Sequence, residues 1–373
     1  MATLTIVRTA NASQIGSLLT QSSASTTYLT QASASTTYAP IVPTTNTTFR
    51  NVLINGDFSI DQRNSGASQT ITSTNAYTAD RWYANAAGAN VTGARIAGAV
   101  PTQYYYRFTG ATSNTQVTLA QRIEAANSYH MAGQTVTISA KIASSSLTSI
   151  TWGLGYATST DNFAGITSGP SGTFTINSTL TTYSATFTVP AGATTGLRFL
   201  LQTATGLVAS QTLTIADVQL ELGSIATPFE HRFIGTELAL CQRYYQTSFS
   251  GSGVAPGHNA SGNGIIYHPG VSGGISGNIY TNIRFPFMRV SPSVNIWNGN
   301  NASATPATAS LTGGLNTSAS GMRIYTAGGV GYDSTNIGID YIRNDSISLY
   351  AQASTGGAAS GILAFGYSLN AEL

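Results

Sequence analysis

The sequence predicts an all-β protein, and three observations carry that expectation. Apolar and polar residues alternate in many short runs, the period of a half-buried strand. The polar face of those runs is mostly threonine, which favours extended backbone and stays soluble without charge. Glycine and proline punctuate the runs, and one stretch alone reads with helical spacing. Charged residues make up 8% of the 373, with a net charge of +2, against about 25% in an ordinary soluble domain. Hydrophobic residues still amount to 42%, so the chain can build a core. Its length allows roughly two domains.

The first 50 residues stand apart. Residues 19–28 are followed at once by 29–38, with nine of ten positions identical. Each unit offers one leucine and one tyrosine among small polar residues. Such a unit cannot bury a core alone and must pack against something, most simply further copies of itself. The composition also suits a Ser/Thr linker, but the duplicated Leu and Tyr positions favour an oligomeric stalk or anchor. Pro40 and Pro43 then break the pattern. Residues 1–50 are therefore expected to form an N-terminal attachment segment.

Residues 51–233 read as a β-sandwich. Residues 116–119, 135–138, 183–189 and 213–220 run close to period two, and 168–172 and 190–192 are expected turns between strands. Many short strands at near-regular spacing describe a sandwich. Residues 236–245 have helical spacing, with Thr236 as the expected cap, Glu237 in the first turn, and Leu238, Cys241 and Tyr245 on one face. That placement makes Cys241 a small buried hydrophobe rather than a nucleophile. Residues 234–250 thus supply a helix and linker. Residues 251–373 form a second, smaller β domain, with strands expected near 265–267, 279–285, 294–297 and 362–365.

Several functions lose their chemistry at this level. One cysteine excludes a disulfide framework and a cysteine zinc site. A single lysine, Lys141, and fourteen dispersed arginines give no polybasic tract to drive binding to nucleic acid or an anionic membrane. No apolar run is long enough for membrane insertion, and the start lacks the pattern of a signal peptide. His130, His231, His258 and His268 show no metal-ligand spacing. Residues 270–274 match a nucleophile elbow around Ser272, but that motif needs a strand before it and a helix after it. Asp57 with Asp61, or Asp333 with Asp340, would make a glycosidase pair only if the fold brought them together. The chain is expected not to be an enzyme.

Binding chemistry is better represented. Nineteen tyrosines and three tryptophans, among many amides and hydroxyls, suit a neutral polar ligand such as a sugar. Rings stack on its apolar face while amides and hydroxyls bond its hydroxyl groups. The candidates are Trp82, Tyr104, Tyr105, Tyr106, and Trp297 with Asn298. Each ring has strand core as its alternative. Three adjacent tyrosines cannot all face inward from one strand, so 104–106 put at least one ring outside. Trp297 ends an alternating run and is followed by Asn298, Gly299 and Asn300, which reads as a loop tip.

The run from Asn51 through Asn55, Gly56 and Asp57 to Phe58, followed by Asp80, Arg81 and Trp82, resembles the opening of the carbohydrate-binding-module-like jelly-roll domains of bacteriophage tail fibres. Residues 216–230 are similar to the closing strand of such a domain, 238–245 to the helix that follows it, and 285–294 with 370–373 to the C-terminal domain. The repeats at 19–38 look like segments near fibre N-termini. The resemblance implies a jelly roll over 51–233 and a homotrimer. It also implies attachment to other virion proteins through residues 1–43 and contact with a host cell-surface glycan. Some such jelly rolls hold a structural calcium, and Asn55, Asp57 and Asp217 occupy the matching neighbourhood with suitable oxygens. Ordinary turn bonding by these side chains is the other reading, and no other cofactor is expected. A capsid decoration or head-fibre protein with a purely structural role is the alternative class. It is separated from the first by what residues 1–43 contact. A secreted glycoside-hydrolase accessory module would want the missing signal peptide.

Overall fold

The computed structural model describes residues 49–100, 103–249, 265–272, 278–298, 307–309, 323–325, 331–353 and 360–373. The repeats at 19–38 and the expected attachment segment 1–43 lie outside the described residues. Residues Phe49–Leu373 pack as one compact unit.

Its first part is built from β1 (Gln69–Ile71), β2 (Ala76–Tyr77), β3 (Trp82–Gly88), β4 (Val91–Ala97), β5 (Tyr104–Thr109), β6 (Asn114–Ile123), the short α1 (Ala125–Ser128), β7 (Thr135–Ser144), β8 (Ser149–Ser159), β9 (Asn162–Thr175), β10 (Thr181–Thr188), β11 (Leu197–Thr203) and β12 (Thr212–Leu222). Two six-stranded antiparallel sheets result, ordered β1-β4-β5-β12-β7-β10 and β2-β3-β6-β11-β8-β9. Strand parity decides which residues lie between them. In β11, Leu197, Phe199 and Leu201 are buried while Arg198, Leu200 and Gln202 are half-exposed. Those inward residues join Phe58, Trp82, Phe108, Leu119 and Ile138 in one continuous core. The all-β expectation holds, and the alternating runs at 116–119, 135–138, 183–188 and 213–220 lie inside β6, β7, β10 and β12.

Two local expectations are corrected. Residues 168–172 make no turn but run inside β9. This strand is the edge of its sheet, where a proline's missing N–H breaks no ladder bond. The register slips between Gly153 and Gly155 of β8, so Gly169 and Pro170 form a bulge opposite Leu154. The helix, α2 (Ile234–Gln242), starts earlier than Thr236 and is preceded by Phe233 at its cap position. Tyr245 already belongs to the next strand. Cys241 is fully buried as expected, and burial pushes its thiol well above the usual range.

The second part comprises β13 (Tyr245–Thr247), β14 (Ile266–Ser272), β15 (Asn278–Arg284), β16 (Ser293–Asn298), β17 (Ala307–Ala309), β18 (Arg323–Tyr325), β19 (Gly331–Ile342), β20 (Ser346–Ala353) and β21 (Ser360–Asn370). The long β21 pairs with β14 and β18 along one half and with β13 and β16 along the other. Pairings from β14 through β15, β20, β19 and β18 return to β14 by way of β21, so the sheet closes on itself and buries Ile283, Ile296, Leu349, Leu363 and Phe365.

The two cores meet at a charged junction. Arg81, 1% exposed, ion-pairs with Glu372 and lies 3.4 Å above the Tyr244 ring. Burial by itself would lower the Arg81 pKa, and Glu372, with smaller contributions from Tyr244, Tyr77 and Cys241, more than offsets it, leaving it raised. Arg63 reaches the other Glu372 oxygen at 3.0 Å and stacks 3.7 Å over Tyr245. Arg243 donates twice to Glu124, at 3.1 and 2.9 Å. Ile54, Ile60, Cys241 and Tyr244 fill the apolar space around these pairs.

Asp80, buried beside this junction, accepts the Gln62 N–H at 3.0 Å and the Gln62 side-chain amide. Burial pushes its carboxyl up to about 6 from an ordinary 3.8. The folded chain therefore holds this proton more tightly than the unfolded one. The stabilisation is complete below about pH 4 and lost as pH rises through about 6, a change of about 3 kcal/mol. Asp80→Asn should remove that slope from urea-denaturation stabilities measured between about pH 4 and pH 7. An identical slope in the variant would assign the titration elsewhere.

Candidate functional site: a groove on the outer face of the second sheet

The parity that buries Trp82, Leu119 and Phe199 turns the residues between them outward. Register aligns Asn85, Thr118 and Gln202 in one cross-strand row across β3, β6 and β11. Tyr83, Ala120, Leu200 and Gly153 form the next row, and Arg122, Arg198 and Gly155 the third. Small residues in the middle of these rows leave the sheet hollow. A groove of about 420 Å³ results, walled by Phe163 and Ile166 of β9 and by Asn75. A Cβ on Gly155 would stand 2.8 Å from Ile166 Cγ2 and 3.1 Å from the Thr167 oxygen, so the close approach of β9 requires glycine there.

Polar groups along the groove are braced against each other. Gln202 Nε2 donates to Thr118 Oγ1 at 2.9 Å, and Asn85 Nδ2 donates to Asn75 Oδ1 at 2.6 Å. Each bond engages one end of an amide and leaves the other end for a ligand. At the opposite end, Arg122 lies 4.8 Å over Tyr83 and 5.5 Å over Phe163 and donates to the Leu373 main-chain oxygen. Arg198 faces Arg122 directly across the strands. No carboxylate lines the groove.

Most of the aromatic residues singled out in the sequence lie elsewhere. Trp82 is fully buried; its Nε1 donates to the Asn55 oxygen at 2.8 Å and its ring packs 5.4 Å from Phe58. Tyr106 is equally buried, 5.1 Å from Phe108 and 5.7 Å from Phe58. Trp297 sits at no loop tip: it is a buried residue of β16, paired with β21 and edge-on to Phe249 at 5.6 Å. None of the three rings has a face open to a sugar: Trp82 and Tyr106 hold inward strand positions, while Trp297, of opposite parity to the core residues Val294 and Ile296, is buried with Phe249 packed against it. Asn298 ends β16, and its side chain lies outside the described residues. Tyr104, beneath Arg95 at 4.3 Å, and Tyr105 are both half-buried on β5. Tyr105 has the opposite parity to buried Tyr106, as three successive tyrosines require.

The suggested calcium ligands do not fit that ion. Asn55 is buried and its amide is committed, donating to the Ile60 and Asp80 oxygens and accepting the Ile60 N–H. Asp217 ion-pairs with Lys141 at 2.7 Å, and Asp57 accepts the Ser59 N–H in a local turn. Among the described residues no group of three His, Cys, Asp or Glu side chains is placed to hold a metal. No described helix is long and apolar enough to cross a membrane.

Asn85, Thr118, Arg122, Arg198 and Gln202 escaped the sequence reading. Their polar parity is visible within each run, but which strands become neighbours is not.

No protein-family model matches the sequence, and no curated protein matches it. Among solved structures, the chain is similar to the enzymatically active domain of tailspike protein 4 from bacteriophage CBA120, at 14% identity and a TM-score of 0.32, over 47% of this chain and 22% of that one. It is similar to a CBM4 module at 19% identity and a TM-score of 0.31, over 45% of this chain and 98% of that one. A family 11 carbohydrate-binding module from Clostridium thermocellum, solved with a mixed-linked β-1,3-1,4 tetrasaccharide, gives 14% identity and a TM-score of 0.28, over 43% and 98%.

Proposed function

We propose that this chain is a non-enzymatic, glycan-binding fibre protein of a bacteriophage tail. In this reading it is a homotrimer, attached to other virion proteins through residues 1–43, and it meets a host cell-surface glycan in the groove on its second sheet. The observation that carries the proposal is the groove itself. It holds a row of amide and hydroxyl side chains on adjoining strands, above a floor kept hollow by Ala120, Gly153 and Gly155. Strands hold such groups more rigidly than loops do, which reduces the ordering cost of binding. The motifs at 51–58 and 80–82 support the tail-fibre setting, and the under-apolar repeat supports self-association.

Asn85→Ala and Gln202→Ala should each weaken binding to a cell-surface glycan preparation by about three- to tenfold, the worth of one neutral hydrogen bond. Their melting temperatures should stay near that of the parent. Unchanged affinity in both variants would remove the groove from the reading. A chain beginning at Phe49 should keep the binding and lose incorporation into particles. Normal incorporation would overturn the anchor, location on the capsid in labelled micrographs would favour the decoration class, and a monomeric mass by light scattering would overturn the trimer.

A further inference from the structure

The groove carries a charge pattern that neutral-sugar recognition does not need. Arg122 and Arg198 stand directly opposite each other on β6 and β11, where like charges destabilise a strand pair. No Asp or Glu lines the groove to relieve them. Arg122 is fixed by the Leu373 oxygen and by two rings. Arg198 makes no ion pair with any described residue. Stacking has little to offer here, since Tyr83 and Phe163, 4% and 7% exposed, lie covered beneath Arg122.

We propose that the groove takes an anionic sugar, carboxylated or sulfated, with Arg198 as its direct partner and Arg122, held by the Leu373 oxygen, beside it. The proposal rests on the groove being the glycan site and replaces the expectation of stacking on neutral sugars. A planar guanidinium offers parallel donors that match two oxygens of one anionic group. The Arg198 charge, with no ion pair among the described residues, focuses the field in the recess and raises the local concentration of an anion. Asn85 and Gln202, at the far end, then bond the hydroxyls of a neighbouring unit. A chain with few cations can still recognise an anion when two of them are brought together by register.

The test is a glycan array holding neutral, uronate-bearing, sialylated and sulfated glycans, probed with the full-length chain, Arg198→Gln, Arg198→Lys and Asn85→Ala. Carboxylated or sulfated glycans should bind, and which of the two does so identifies the anion. Arg198→Gln should weaken them by about tenfold or more, with Arg198→Lys in between. Raising salt from about 0.05 M to about 0.5 M should weaken them further. Arg198→Gln should melt at or slightly above the parent, since no protein ion pair is lost and a like-charge pair is relieved. Anionic glycans that bind Arg198→Gln as well as the parent would overturn the proposal. Neutral glycans bound with sensitivity to Asn85→Ala, and none to salt or Arg198→Gln, would overturn it while leaving the groove as the site. Binding to no glycan would overturn both.

Discussion

Glu372→Ala is expected to lose about 3–5 kcal/mol of folding stability, the usual consequence of stranding one charge of a buried pair. The charge left behind is Arg81, 1% exposed and pressed against the Tyr244 ring. Arg63 would lose the same carboxylate. Both guanidiniums belong to the sandwich, and Glu372 follows the long β21, so the pair ties one core to the other. Guanidinium denaturation should show a lower midpoint and a tendency for the two cores to unfold separately. A loss below about 1 kcal/mol, the range of exposed pairs, would mean that water reaches the junction. The neighbouring Leu373 also holds Arg122, so the junction and the groove are mechanically connected.

Trp82→Ala should be nearly as damaging, at about 3–5 kcal/mol for an aromatic removed from a packed core. The indole is fully buried, and its N–H satisfies the Asn55 oxygen at 2.8 Å. Glycan affinity of whatever fraction stays folded should match the parent. A variant that melts normally but binds no glycan would restore Trp82 as a sugar platform.

The layers of this fold were legible in different degrees. Period-two runs identified strands such as β6, β7, β10 and β12, because alternation is a local property of a sheet with one buried face. Cys241 was legible for the same reason, from its spacing against Leu238. Pro170 misled, because a proline reads as a turn until its strand is known to lie at an edge and to carry a bulge. Trp297 misled in a similar way: asparagine and glycine after a strand suggest a tip, and the ring's parity is opposite to the core residues Val294 and Ile296, but Phe249, distant in sequence, packs against it and the ring is buried. Asn55 looked like a ligand and proved to be a turn brace. The groove was the least legible feature. Arg122 and Arg198 are 76 residues apart in sequence and meet only through the β6–β11 register, which depends on topology rather than on any local pattern.

Hydrogen exchange on the full-length chain, with and without the tightest-binding glycan of the array, tests the groove most directly. Protection should concentrate in β3, β6 and β11, strongest around Thr118, Arg122, Arg198 and Gln202, with β5 and β16 unchanged. Protection confined to Tyr104–Thr109 or Ser293–Asn298, with β6 and β11 exchanging as before, would contradict the account and return the binding role to the aromatic strands.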